Sequence, residues 1–153
     1  MGNGRTIRLL VVEDDPAYLN LVQRAFTARG ETRWELTVVK DGEEALRLLF
    51  EEDDENFPLP DLILLDWNLP KISGYDVLRR VKQHRKLRRI PILVFSTSEA
   101  DDDIHDANDC HANGYITKPG DIDELAAIVE MIERFWTTVR HAKVRRKQAH
   151  PRV

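Results

Sequence analysis

Acidic side chains follow two of the most apolar segments of the chain, and a lysine follows a third segment. Glu13 and Asp14 come directly after LLVV, Asp66 comes directly after LILL, and Lys118 comes directly after GYIT. Neighbouring carboxylates repel one another unless a cation neutralises them, and Mg²⁺ binds one or two carboxylates together with waters and a phosphate oxygen. If the fold brings these side chains together, they can form a magnesium-dependent phosphate site.

Five segments with the length and composition of strands must position these residues. They are residues 7–13, 34–40, 61–67, 90–96 and 114–117. A segment with apolar residues at helical spacing follows each of them. The helices are predicted to begin at Pro16, Glu43, Tyr75, Ser98 and Ile122, the first ending at Arg29-Gly30 and the last near Val139. This alternation predicts an α/β protein with a parallel sheet covered on both faces.

The polar residues fall at the ends of the predicted strands. In an open parallel sheet, ligands bind beyond the carboxyl ends of the strands, near the point where the strand order reverses. The residues at these ends are Glu13, Asp14, Asp66, Ser96, Thr97, Thr117 and Lys118. Each also has an ordinary structural interpretation, because an acid at a strand end is commonly a solvated turn residue. We prefer that interpretation for Asp15, and we interpret Ser98 as a helix cap in an approximate capping box with Asp101.

Composition and charge exclude several classes of protein. The length of 153 residues suits one domain. No apolar run approaches the roughly 20 residues of a transmembrane helix, and the N-terminus has no apolar secretory region. The single cysteine, Cys110, agrees with a reducing cytosol, so we expect a cytoplasmic protein without membrane contact. Residues 1–139 hold 17 basic and 27 acidic side chains, which argues against nucleic-acid binding, whereas residues 140–153 hold six basic side chains and no acid.

Four blocks of the sequence, VVEDDP, DLILLDWNLPKISG, VFSTS and GYITKP, resemble the receiver domains of two-component response regulators. The resemblance covers residues 6–139 and implies one flavodoxin-like, doubly wound domain, with five parallel strands in the order 2-1-3-4-5 and five helices. The chain is most similar to single-domain regulators that are partnered with bacterial and cyanobacterial phytochromes, in the polar loop 51–60, the loop 66–74, residues 96–98 and Phe135-Trp136. Residues 140–153 are expected to form a basic extension, partly disordered or docked on a partner.

The resemblance implies roles for the residues at the strand ends. Asp66 would be the phosphoacceptor, and its carboxylate would form an acyl phosphate. Mg²⁺ would be bound by Asp66, by Asp14 directly, by Glu13 through a water and by the backbone carbonyl of Asn68. Lys118 would pair with the phosphoryl oxygens.

A hydroxyl and an aromatic residue would report phosphorylation. Counting back from Lys118 selects Ser96 as the hydroxyl, and a slip of one residue would select Thr97. Tyr115 matches the aromatic residue that moves with the switch, although half-buried packing would also explain it. The Lys118-Pro119 bond is expected to be cis.

The leading hypothesis is therefore a signalling protein and not an enzyme in the usual sense, since it would catalyse only its own phosphorylation and dephosphorylation. The donor would be a sensor histidine kinase of the phytochrome type. The output would be a protein interface: a phosphotransfer protein, or a homodimer through the helix 4, strand 5 and helix 5 region and the C-terminal extension. Two alternatives stay open: an aspartyl-phosphate phosphohydrolase of the haloacid-dehalogenase type, disfavoured by Asn68, and an unphosphorylated interaction domain.

Overall fold

Strands and helices alternate through the computed structural model, which describes residues 6–27, 32–51 and 58–149. The strands are β1 (Thr6–Val12), β2 (Arg33–Val39), β3 (Leu62–Asp66), β4 (Ile92–Ser96) and β5 (Gly114–Thr117). The helices are α1 (Pro16–Thr27), α2 (Gly42–Glu51), α3 (Gly74–Gln83), α4 (Asp101–Asp109) and α5 (Ile122–Ala149). A 3₁₀ turn, Leu87–Arg89, lies between α3 and β4.

The five strands form one parallel sheet in the order β2-β1-β3-β4-β5. This order confirms the predicted flavodoxin-like topology. Val12 pairs with Leu65, and Ser96 pairs with Thr117. Because the strands are parallel, β1, β3, β4 and β5 all end at the same edge, where the polar residues follow.

The apolar runs of the central strands are buried. All five residues of β3 are buried, as are the last four of β1. A continuous apolar run, without the alternation of a half-exposed strand, is typical of a parallel sheet. The core combines these strands with residues of α2, α3 and α4, such as Leu49, Val77 and Ala107. Each fully buried aliphatic side chain stabilises the fold by about 1.5–3 kcal/mol. The many buried side chains of the central strands therefore hold the sheet, and the edge at which its strands end, in place.

Gly74 fixes the loop that follows β3. Its N–H donates to the Trp67 carbonyl over 3.0 Å, and a Cβ at this position would overlap the carbonyl oxygen of Asp66. The side chain of Ser73 accepts a hydrogen bond from the Asp76 N–H and caps α3. The first turn of α3 can therefore lie directly against the backbone that carries Asp66.

The chain divides into two compact units after Lys118. The second contains α5, whose first turn is capped by an Asp121 oxygen that accepts from the Glu124 N–H over 2.8 Å. One face of α5 is buried, and its residues are Leu125, Val129, Ile132 and Trp136. Met131 and Phe135 are each 67% exposed. Among the described helices, none combines the length and hydropathy needed to cross a membrane.

Two predicted helix boundaries are wrong. The predicted α4 began at a capping Ser98, whereas the helix begins at Asp101, and its N-cap, Ala100, makes no side-chain bond. The Ser98 hydroxyl donates to Asp103 over 2.6 Å and accepts from the Ala100 N–H over 3.2 Å, so it stabilises a turn before the helix. The predicted α5 ended near Val139, whereas the helix continues to Ala149, because the basic segment contains good helix formers whose charge is favourable at a C-terminus.

The expected cis bond at Lys118-Pro119 is also wrong, since no peptide bond among the described residues is cis. The trans isomer is the lower in energy for an X–Pro bond, by about 0.5–1 kcal/mol. The predicted helix end at Arg29-Gly30 and most of the acidic loop 51–60 lie outside the described residues.

Lys82 joins α3 to the segments that precede β4 and β5. Its ammonium donates to the carbonyls of Arg88 and Ile90, over 3.2 and 2.9 Å, and to Asn113 Oδ1 over 3.0 Å. Asn113 Oδ1 also accepts from the Ile92 N–H over 2.8 Å. Burial lowers the pKa of Lys82. The three acceptors match the three N–H donors of an ammonium group, so we assign Lys82 a structural role.

We expect Lys82→Met to lower the free energy of unfolding by about 1–3 kcal/mol, because the partly buried acceptors lose a charged donor. Urea denaturation followed by far-UV circular dichroism measures this change. Lys86→Met, at an exposed position just after α3, is the control and should change stability by less than about 0.5 kcal/mol. Equal stability of the two variants would contradict a structural role for Lys82.

Candidate functional site

Three carboxylates meet at the edge of the sheet beyond β1 and β3. Glu13, Asp14 and Asp66 each place a carboxylate oxygen within 4.8 Å of the others. Glu13 and Asp66 are buried, whereas Asp14 is exposed. The strand ladder holds this backbone, since the Glu13 N–H donates to Val39 and the Trp67 N–H donates to Phe95. The sheet therefore brings Asp66 close to Asp14 and Glu13, which precede it by 52 and 53 residues in the sequence.

Lys118 joins this cluster from the end of β5. Its Nζ lies 2.7 Å from Glu13 Oε1 and 3.4 Å from Asp66 Oδ2, and its side chain is 9% exposed. Its N–H donates to the Ser96 carbonyl over 2.8 Å, which continues the pairing of β4 with β5. The shorter contact is with Glu13, and the same ammonium also lies close to Asp66.

The acidic groups of the cluster outnumber its basic group. Burial, and after it the negative charge of Glu13, raises the pKa of Asp66 to about 6, although Lys118 and the Asn68 N–H act in the opposite direction. Three carboxylates face one lysine, so the ionised cluster carries an excess of negative charge. All three acids offer hard oxygen donors, the chemistry that Mg²⁺ requires. The donor set therefore fits a magnesium ion.

The backbone beside the acids supplies further hydrogen bonds. The Asn68 N–H donates to Asp66 Oδ1 over 3.2 Å, and the Asp15 N–H donates to Glu13 Oε2 over 3.0 Å. Asp15 itself is exposed and accepts from the Ala17 N–H over 3.0 Å. This position agrees with its interpretation as a turn residue, here at the start of α1.

The two candidate hydroxyls at the end of β4 have different environments. Ser96 is fully buried, and its Oγ accepts from the Ser98 N–H over 3.0 Å, whereas Thr97 is exposed. Asp66 pairs with Phe95 in the sheet, so Ser96 is the next residue along the neighbouring strand. The burial of Ser96 agrees with its selection over Thr97, and the hydroxyl that faces Asp66 stays a prediction.

Aromatic residues connect the loop after β3 with β5. The ring of Trp67 makes edge contacts with Tyr75 and Tyr115, at centroid distances of 6.0 and 6.4 Å. The Tyr115 hydroxyl donates to the Ser98 carbonyl over 2.9 Å. Trp67 is only 6% exposed, so it is a packing residue beside Asp66 and not a surface contact for a partner.

The sequence analysis missed Tyr18, which lies in the first turn of α1. Its ring covers Lys118, with Nζ 4.5 Å from the ring centroid. Burial raises the pKa of the Tyr18 hydroxyl, and the charges of Glu13 and Asp66 raise it further. The signal was present, because Tyr18 is the third residue of a helix that begins directly after the acids at the end of β1.

Comparison with known proteins agrees with this geometry. The sequence pattern of the response regulator receiver domain matches residues 9–130. The response regulator Rcp1 of Synechocystis sp. is 40% identical over 129 residues, which cover 84% of this chain and 87% of that protein. The probable methanogenesis regulatory protein FilR2 of Methanothrix harundinacea is 38% identical over 128 residues, which cover 84% of this chain and 82% of that protein.

Solved structures of the same kind superpose on this chain. The phosphorylated cyanobacterial phytochrome response regulator RcpA matches with a TM-score of 0.80 and 42% identity, covering 88% of this chain and 96% of that chain. The Mn²⁺-bound form of Rcp1 matches with a TM-score of 0.76 and 40% identity, covering 85% and 94%. The fold, the acidic edge and these relatives lead to one conclusion: the chain belongs to the response regulator receiver domain family.

Proposed function

We propose that this chain is a single-domain response regulator, in which Asp66 accepts a phosphoryl group from a phosphohistidine of a sensor kinase. The observation that carries the proposal is the buried meeting of Asp66 with Glu13 and the Lys118 ammonium, beside the exposed Asp14. A strand-end carboxylate held rigidly against a lysine has the position that phosphoryl transfer requires, since this chemistry depends on positioning and charge neutralisation.

The transfer itself uses atoms that the site already holds. An oxygen of the Asp66 carboxylate attacks phosphorus, the P–N bond to the histidine breaks, and the imidazole nitrogen keeps the electron pair. The product is an acyl phosphate on Asp66. Because the pKa of Asp66 is about 6, its carboxylate is mostly ionised at neutral pH and can act as the nucleophile.

Neighbouring groups balance the charge of the phosphoryl group. Lys118 Nζ, 3.4 Å from Asp66 Oδ2, pairs with a phosphoryl oxygen. Ser96 uses its oxygen to accept from Ser98, so its hydroxyl proton is the donor to a second phosphoryl oxygen. Glu13, Asp14, Asp66 and the carbonyl of Asn68 would hold Mg²⁺, which supplies positive charge to the transferring group when bound.

Phosphorylation then shifts a two-state equilibrium. Movement of the Ser96 hydroxyl toward the phosphoryl group disturbs its bond with the Ser98 N–H. Ser98 in turn accepts from the Tyr115 hydroxyl through its carbonyl and bonds Asp103 of α4 through its own hydroxyl. Ser96 and Tyr115 are therefore the switch residues, and the change reaches the surface of α4 and β5.

Phosphoryl transfer requires a donor protein and a protein that receives the signal. A sensor kinase of the phytochrome type is supported by the similarity to Rcp1 and to the phytochrome response regulator RcpA. The protein acts in the cytoplasm and passes its signal to a phosphotransfer protein or to a second copy of itself. Hydrolysis of external phosphoesters is not expected, because the amide of Asn68, two residues after Asp66, cannot act as an acid or base.

The phosphoacceptor is tested by intact-mass spectrometry after incubation with Mg²⁺ and acetyl phosphate. The wild type should gain one phosphoryl group, and Asp66→Asn should gain none, because the nucleophilic carboxylate is absent. Asp15→Asn, which changes an exposed neighbouring acid, should behave as the wild type. An adduct that forms equally in Asp66→Asn would remove Asp66 from its role.

A pH-dependent stability is expected without metal. The pKa of Asp66 is raised from 3.8 to about 6 in the folded protein, so the folded state binds a proton more tightly than the unfolded chain. Protonated Asp66 therefore makes its full contribution to the free energy of unfolding below about pH 4. This contribution is lost as the pH rises through about 6. In EDTA, Asp66→Asn should therefore be more stable than wild type at pH 7.5, by about 1–3 kcal/mol.

Urea denaturation of both proteins at pH 4 and pH 7.5 measures this difference, which should nearly vanish at pH 4. Glu99→Gln, at an exposed position, is the control and should show no such pH dependence relative to wild type. A wild type that matches or exceeds Asp66→Asn at pH 7.5 would contradict an unfavourable buried charge at Asp66.

The homodimer is proposed to involve α5, where Met131 and Phe135 are exposed one helical turn apart. Sedimentation equilibrium should show stronger self-association of the phosphorylated protein, and Phe135→Asp should weaken it at least tenfold by placing a charge in an apolar contact. Glu130→Gln, also exposed on α5, is the control. Monomers at high concentration in both phosphorylation states would rule out the dimer.

A further inference from the structure

Tyr18 lies against the charged centre of the site. The Lys118 ammonium is 4.5 Å from the centroid of the Tyr18 ring, on the face of the ring. The same ammonium lies 2.7 Å from Glu13 and 3.4 Å from Asp66. An ammonium over an aromatic face is attracted by the ring, more strongly where water is excluded. The ring therefore limits the positions that the lysine can take.

The Tyr18 hydroxyl oxygen is buried, and within the described part of the chain it has no hydrogen-bond partner. A buried donor without a partner is unfavourable, and native proteins rarely retain one without a reason. Burial, and after it the negative charges of Glu13 and Asp66, raises the pKa of this phenol, so the hydroxyl keeps its proton. It is therefore a hydrogen-bond donor at the edge of a site that is expected to receive an anion.

We propose that Tyr18 is a further residue of the phosphoryl pocket, in which its ring positions the Lys118 ammonium and its hydroxyl donates a hydrogen bond to an oxygen of the phosphoryl group on Asp66. The inference depends on the proposed function, because it requires a phosphoryl group at Asp66. It explains why a polar atom is buried here without a partner in the unphosphorylated protein.

Two variants separate the hydroxyl from the ring. Tyr18→Phe keeps the ring over Lys118 and removes the donor, whereas Tyr18→Leu removes both. Tyr75→Phe is the matched control, because it removes the hydroxyl of a tyrosine that contacts Trp67 from α3. Affinity for beryllofluoride, a phosphoryl analogue, is measured in the presence of Mg²⁺ by tryptophan fluorescence, and Tm is measured in EDTA.

We expect Tyr18→Phe to bind beryllofluoride roughly tenfold more weakly than wild type, as for loss of one hydrogen bond to a charged group. Its Tm in EDTA should be unchanged or higher, since an unpartnered buried hydroxyl is removed. Tyr18→Leu should bind beryllofluoride more weakly than Tyr18→Phe, because no aromatic ring then positions Lys118. The difference in affinity between these two variants measures the contribution of the ring. Tyr75→Phe should bind as the wild type.

Wild-type affinity in Tyr18→Phe would overturn the inference, and so would a lowered Tm in EDTA, which would reveal a structural bond of the hydroxyl. Failure of the proposed function is distinct from these results. If the wild type neither binds beryllofluoride nor gains a phosphoryl group from acetyl phosphate, both proposals are wrong. If the wild type does both and Tyr18→Phe equals it, only the role of Tyr18 is wrong.

Discussion

The site depends on the burial of two carboxylates beside a single ammonium group. Glu13 and Asp66 are each less than a tenth exposed, and Lys118 lies within 3.4 Å of both. Burial raises the pKa of Asp66, and the negative charge of Glu13 adds to this effect, because one lysine does not neutralise two buried acids. The same imbalance prepares the site for a cation and, together with the lysine, for an anionic phosphoryl group.

This unfavourable arrangement requires a rigid support. The parallel sheet provides it, because the hydrogen bonds of β1, β3, β4 and β5 fix the edge from which these side chains extend. Gly74 allows α3 to begin directly against the Asp66 backbone. Lys82 joins the turns that lead into β4 and β5. The stability of the apolar core thus offsets the cost of a charged edge, as is common for functional sites.

The site and the nearby surface are connected by short-range contacts. Ser96 bonds the backbone of Ser98, which also accepts from Tyr115, and Tyr115 contacts Trp67, the residue after Asp66. Contacts between neighbouring groups therefore run from the residue after Asp66 to β5 and to the segment before α4. Tyr18 lies against Lys118, where its ring and hydroxyl add an aromatic surface and a donor to the pocket.

The sequence alone determined the fold class, the strand order through family resemblance, and the set of acids and the lysine at the strand ends. It could do so because buried parallel strands are continuous apolar runs, and because their ends share one edge. It misplaced the start of α4 and the end of α5, since Ser98 is equally suited to a cap and to a turn, and a basic segment does not by itself mark a helix end.

Only the tertiary structure decided which atoms meet. The preference of Lys118 for Glu13 over Asp66, the burial of Ser96 but not Thr97, and the raised pKa of Asp66 all depend on distances between segments far apart in the chain. The contact of the Tyr18 ring with Lys118 also joins segments that are far apart in the chain. Residue types and spacing show which groups reach an edge, whereas packing fixes the distances and burial that set their charges.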